Sequence, residues 1–288
     1  MRKINILLFS ISIVLFIHPR GISAEQLIIK DDNISETVLL DHFTMPFPTD
    51  LFLDLHKVNL LMDRLEEQVY KQPKNARFDQ DNKMISAKTG KKLDRNQFID
   101  DFYSQFYLRQ EEFLHIPKRE VAPRVDDELL ESISKNKIHT YTTMYQETNK
   151  ERSQNIKIAT AAIDSYVLFP GESFSFNKVV GQRTEEKGYK RAPVIVKGEL
   201  AEDIGGGICQ VSSTLFNAVN LKGIQMIERY SHSREVPYVP PGKDATVSWW
   251  GPDFVFKNEY NQALLIRASA KNGRMTVDIY SSENMKIK

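Results

Sequence analysis

From Asp54 onward the apolar residues Val58, Leu61, Met62, Leu65 and Val69 recur at helical spacing, and Gln72-Pro73 ends the run. The pattern predicts an amphipathic helix. A second helix opens at Leu93-Asp94, with Phe98, Phe102 and Phe106 on one side and Asp94 as its N-cap. Between the two, Ala76–Asp79 and Lys83–Ser86 read as short strands around a polar turn at Asp81-Asn82, and Thr89-Gly90 reads as another turn. Residues 25–53 are mixed and polar, with Pro46 and Pro48, and read as a linker with at most one short strand.

The chain turns polar again over residues 117–150, where Pro117, Pro123 and Asp126-Asp127-Glu128 fall. That stretch marks a boundary and separates a unit at 54–135 from one at 150–282. In the second unit Ile156, Ala159, Thr160 and Ile163 predict a helix stopped by Pro170-Gly171. Phe174 and Phe176 alternate as in a strand, and Ala192–Lys197 is a further strand. After three glycines, Val211, Leu215 and Val219 share one helical face. Leu264–Ala270 and Arg274–Ser281 flank Lys271-Asn272-Gly273, and Asn-Gly between such runs signals a hairpin. The expected fold class is α+β, in two domains, the C-terminal one a mixed α/β unit ending in a β-hairpin.

The N-terminus changes the picture of where the protein works. Arg2 and Lys3 precede an apolar run from Ile6 to Ile17 and a small-residue stretch, Gly21 to Ala24. That is the shape of a secretory signal peptide, 1–24, whose apolar run is shorter than the roughly 20 residues a membrane-spanning helix needs. The expected location is extracytoplasmic, secreted or cell-wall associated. Contact with a membrane would come only from leaving the signal uncleaved as an anchor. Removing residues 1–24 takes away Arg2, Lys3 and Arg20 and no acid, so the formal charge of +1 becomes −2. A near-neutral mature chain argues against a nucleic-acid partner.

Cys209 is the one cysteine of 288 residues, so no intramolecular disulfide exists and the thiol is either a small core residue or a reagent. It follows Gly205-Gly206-Gly207, which let a backbone approach a ligand closely, and it begins a helix whose free amides and dipole lower a thiol pKa. His232 and Asp244 follow in turn-rich stretches and complete a nucleophile, base and orienter set. The glycine run, the Cys209 and Gln210 amides and the Gln210 side chain are candidate oxyanion donors. Arg183 could grip a carboxylate with its planar fork, or pair with Glu185 or Glu186. Trp249, Trp250 and Tyr238 could form an aromatic floor or pack in the core. No His-Glu-x-x-His helix, paired-cysteine motif, Walker loop or dinucleotide fingerprint occurs in the sequence, so neither a metal nor a cofactor is expected.

Pro170-Gly171-Glu172-Ser173-Phe174-Ser175-Phe176-Asn177, Val180-Gly181-Gln182-Arg183-Thr184, the run from Gly205 to Asn217, Ser231-His232-Ser233 and Pro241 to Val247 together resemble the VanW family over residues 150–260. Residues 54–135, through the pattern in Ala76–Asp94, resemble a peptidoglycan-binding domain that often precedes cell-wall enzymes. The resemblance implies a protein of the Gram-positive cell envelope and an accessory connection to vancomycin resistance, with peptidoglycan or its precursors as partner. It carries no settled reaction. Two readings stay open: a cysteine-dependent acyl transferase or hydrolase on stem peptides, and a non-catalytic wall-binding or maturation accessory.

Overall fold

The computed structural model describes residues 26–287 apart from 32, 47–51, 80, 109–112 and 197–198. The expected signal segment lies outside the described residues, as does Lys197. The chain divides into two compact units, Met1–Gln72 with Gly90–Val121 and Pro73–Thr89 with Ala122–Lys288.

In the first unit β1 (Gln26–Asp31) and β2 (Ile34–Leu39) pair antiparallel, so much of the stretch expected as a linker is a hairpin. Its polar look comes from the outward face, since Leu27 and Ile29 alternate into the core. α1 (Leu55–Val69) follows, and Asp54 caps it by accepting the His56 and Lys57 amides. Val58, Leu61, Met62, Leu65 and Val69 are its buried face, as the spacing predicts. The chain then contributes β3 (Arg77–Phe78) and β4 (Met84–Ile85) to the second unit, an antiparallel pair at the expected place. It resumes the first unit with β5 (Gly90–Leu93), α2 (Arg95–Leu108), β6 (Phe113–His115) and β7 (Lys118–Val121). β6 lies parallel to β1 and β5 pairs with β7. Phe98, Phe102 and Phe106 of α2 join the α1 face in one apolar core.

The second unit continues with α3 (Asp127–Ile133) and β8 (Asn136–Met144), both inside the stretch that reads as a boundary. α4 (Lys150–Ile163) ends at Asp164, before the expected stop at Pro170, because Ser165 turns at φ 60° into β9 (Tyr166–Leu168). β10 (Ser173–Ser175) holds Phe174, but Phe176 opens a short helix, α5 (Phe176–Val180). β11 (Arg191–Val196), β12 (Glu199–Ile204), α6 (Ile208–Ala218), β13 (Ile224–Glu228), β14 (Val255–Asn258), β15 (Leu264–Lys271) and β16 (Arg274–Ser281) complete it. The fold is mixed α+β and the chain closes on the β15–β16 hairpin, with Asn272 at φ 53° and Gly273 at φ 70° in the turn.

Four strands form the sheet β8-β16-β15-β9, and three more form β10-β14-β13. α6 packs on β8, β16 and α4 and is buried at every position except Cys209. A helix covered on every side needs its polar side chains satisfied internally. Those bonds build the site.

Candidate active site

The three glycines make the turn that starts α6, and this chain's own atoms crowd against them. Gly205 has φ +91° and Gly207 φ +106°, where a side chain is strained. A Cβ on Gly206 would stand 2.5 Å from the Ala192 carbonyl oxygen, and one on Gly207 2.9 Å from Cγ of Arg152. The close approach they permit is therefore to β11 and α4, where the sequence suggested a ligand. Asn155 locks the turn: its Nδ2 donates to the carbonyls of Gly206 at 3.0 Å and Lys190 at 2.9 Å, and its Oδ1 accepts the Lys190 amide at 2.8 Å. Gly206→Ala is expected to lower unfolding free energy by about 1–3 kcal/mol through this overlap. Urea denaturation followed by circular dichroism measures it, and an unchanged midpoint would contradict the packing.

Cys209 is the second residue of α6 and is half-buried. Its Sγ lies 3.4 Å from the Val247 carbonyl oxygen and 3.7 Å from Thr246 Oγ1, and the His232 ring is near enough to act on it. Burial favours the neutral thiol, but the interactions with His232, Val247 and Thr246 together outweigh it and hold the thiol below its ordinary range.

His232 arrives on an irregular segment fixed by α6. Ser212 Oγ donates to the Ala245 carbonyl at 2.5 Å, Ser213 Oγ accepts the Ala245 amide at 2.9 Å, and Asn217 Nδ2 donates to the Lys243 carbonyl at 2.7 Å. These bonds lay residues 243–247 along the helix. Thr246 then bridges to Tyr230, its amide donating to the Tyr230 carbonyl at 2.8 Å, which sets His232 beside Asp244. Asp244 Oδ2 accepts both the backbone amide and Nδ1 of His232, each at 2.6 Å. With Nδ1 engaged, Nε2 is left for the thiol.

The two side chains are only 6% and 9% exposed, so their charges are weakly screened. Burial pulls the His232 imidazole down, yet Cys209 and Asp244 together raise it. Burial likewise pushes the Asp244 carboxyl up, and the two His232 hydrogen bonds bring it below the usual range. The sequence-predicted trio is thus brought together as thiol, imidazole and carboxylate in series.

Arg229, which sequence reasoning missed, braces the carboxylate. Its Nε donates to the Asp244 carbonyl at 2.8 Å, its Nη2 to the Gly242 carbonyl at 2.8 Å, and its guanidinium lies 4.4 Å from the centre of the Phe216 ring. Tyr238 was also under-read. It is half-buried beside Cys209, hydrogen-bonds Ser213, and burial raises its hydroxyl pKa strongly. The other two aromatics stand outside: Trp250 is 88% exposed and Trp249 37%.

Among the expected anion donors, Gln210 requires a correction. Its Nε2 donates to Thr143 Oγ1 at 2.9 Å and the Met144 carbonyl at 2.8 Å, its Oε1 accepts Arg152 Nη2 at 2.8 Å, and its backbone amide donates to the Gly207 carbonyl. Fully engaged, it ties α6 to β8 and α4. The Gly205 amide is also taken, by the Lys190 carbonyl at 3.0 Å. Arg183 differs, since Nη1 and Nη2 have no hydrogen-bond partner and the alternative pairing with Glu185 or Glu186 is not formed. Burial lowers its pKa, and Tyr189, Cys209 and Asp253 partly offset this.

Residues 151–280, which hold all of these groups, match the family described as VanW like protein. The uncharacterized protein YoaR of Bacillus subtilis is 49% identical over 247 residues, covering 86% of this chain and 82% of that protein. The chain belongs to the VanW-like family. The vancomycin B-type resistance protein VanW of Enterococcus faecalis is 30% identical over 124 residues, 41% of this chain and 44% of that relative. No solved structure matches the chain. Within the VanW-like region the thiol, imidazole and carboxylate lie at the N-terminal end of one buried helix, and a cavity of ≈ 990 Å³ elsewhere in the unit has none of the three in its lining.

Proposed function

We propose that this chain is an exported cell-envelope protein whose VanW-like unit is a cysteine-dependent acyl transferase or amide hydrolase on the peptide stems of peptidoglycan. One observation carries the reaction class: Nδ1 of His232 is 2.6 Å from Asp244 while the same ring acts on the Cys209 thiol and lowers it. The choice of polymer is supported by the family resemblance, by a relative named for vancomycin resistance and by the N-terminal signal pattern. In this proposal the first unit holds the wall.

His232 holds the Cys209 proton, and the thiolate attacks an amide carbonyl. When the C–N bond breaks, the departing nitrogen takes the proton from His232 Nε2 and the acyl group remains on sulfur as a thioester. Water or an amine then attacks, gives its proton to His232 and releases the thiolate. Asp244 keeps the imidazole oriented and stabilises its charge throughout. No step draws on a cofactor or metal.

Incubating purified peptidoglycan fragments with the protein and weighing the products tests the proposal. Wild type is expected to change their masses by the loss or exchange of an amide-linked group, and Cys209→Ala is expected to leave them intact. Equal conversion by both proteins would sink it. The cavity of ≈ 990 Å³ favours a second reading, a wall-binding accessory, because its lining includes Arg77, Lys157, Asp164, Arg267 and Asp278 and lies apart from the thiol. On that reading fragments bind saturably and their masses stay constant.

A further inference from the structure

Arg183 ends in two nitrogens that are closed from solvent and have no acceptor, and the Tyr189 hydroxyl is in the same condition. A guanidinium in that state is costly, because burial removes its water and nothing replaces it. Its place is built into the fold. The Arg183 Cβ and Cγ lie 3.4 and 3.3 Å from where a side chain on Gly205 would begin, so the bare glycine on the turn leading into Cys209 makes room for the arginine stem. The Phe176 ring centre is 5.8 Å from its guanidinium carbon. Asp253, the one carboxylate among the groups whose charge it feels, accepts instead from the Ser175 hydroxyl and the Asn177 and Phe254 amides.

We infer that Arg183, with the Tyr189 hydroxyl, is the recognition point for a carboxylate next to the carbonyl that Cys209 attacks, so that the bond acted on is the last amide of a peptide with a free C-terminus. This rests on the proposed role of Cys209 and narrows its substrate. A carboxylate supplies two coplanar oxygens, which match the two orphan nitrogens of the fork. A peptide ending in an amide offers one acceptor and adds donors of its own, leaving part of the fork unpaired. The residue released carries the carboxylate away with it, and its new amino group holds the proton from His232. The nitrogens are closed from solvent, so binding requires the atoms over them to move.

Iodoacetate and iodoacetamide carry the same leaving group and differ in the carboxylate, so their relative rates with Cys209 read the anion preference directly. The iodoacetate to iodoacetamide rate ratio of the full chain is expected to exceed that of glutathione by about tenfold or more. Arg183→Met is expected to return the ratio to the glutathione value. A wild-type ratio equal to that of glutathione, or a raised ratio that survives Arg183→Met, overturns the inference while a fast iodoacetamide reaction still upholds the thiol. Slow reaction with both reagents overturns the role of Cys209 and this inference together. Should the variant not fold, the wild type alone decides. Acetate at constant ionic strength is expected to slow iodoacetamide alkylation saturably and acetamide is not, and absence of that protection refutes the carboxylate site.

Discussion

With His232 replaced by alanine, alkylation of Cys209 by iodoacetamide at pH 7 should slow by about one to two orders of magnitude. Burial opposes the thiolate, and the interactions with His232 are foremost among those, with Val247 and Thr246, that hold the thiol below its ordinary range. Remove the imidazole and burial gains on what remains, so the thiol rises toward its ordinary value of about 8.5. Each unit of that rise is tenfold in thiolate at neutral pH. In the parent the thiol is lowered and the imidazole raised, which brings the two titrations toward each other. Its alkylation rate should therefore reach a plateau below pH 8.5, whereas the variant should still be climbing there. Following the adduct by intact mass across pH measures both curves, and superimposable curves would show that the imidazole does not activate the sulfur.

Asp244→Asn is expected to cost about 2–3 kcal/mol of stability and to slow acyl-enzyme formation by about 10² or more. One carboxylate oxygen takes two hydrogen bonds from His232, and an amide that turns its NH₂ toward them loses both. The pH dependence gives a second handle. Asp244 is depressed in the fold, so its contribution is fully present above the unfolded value of about 3.9 and is lost as pH falls through the lower folded value. His232 is raised, so its contribution is complete below about 6.5 and is lost as pH rises through the higher folded value. The pair thus favours the fold most between roughly pH 4 and 6.5, and Asp244→Asn should flatten that maximum. Thermal unfolding across pH reads the difference, and parallel curves for the two proteins would contradict the pairing.

Helical periodicity was the most legible part of this sequence, because a one-sided helix writes its buried face in the spacing. Val58 to Val69 and Phe98 to Phe106 are buried where that spacing places them. Strands with one wet face were harder to read. β8 is an edge strand, so Thr140 to Thr143 looked like a polar boundary although Thr suits a pleated surface. The passage of Pro73–Thr89 into the second unit leaves no local mark at all, since it depends on partners distant in sequence.

At the site, residue types and their order were enough to nominate Cys209, His232 and Asp244. Roles decided by who reaches a side chain first were not legible. Gln210 had the chemistry of an oxyanion donor, but Thr143 and Met144 occupy its amide. The glycine run packs closely against β11 and α4, neighbours that the run itself does not name. Ser213 and Asn217, four apart on α6, were the available sign that this helix grips a neighbouring segment, and only coordinates identify that segment as the one bearing Asp244.

In the proposed reaction the Cys209 sulfur takes up an acyl group. Mixing the full chain with a peptidoglycan stem peptide, quenching in acid within seconds and weighing the intact protein shows whether it does. A mass increase equal to the acyl fragment, mapped to Cys209, removed by hydroxylamine and missing from Cys209→Ala, is the expected result. Turnover of the peptide with no adduct on wild type, or an adduct that persists in Cys209→Ala, would contradict it.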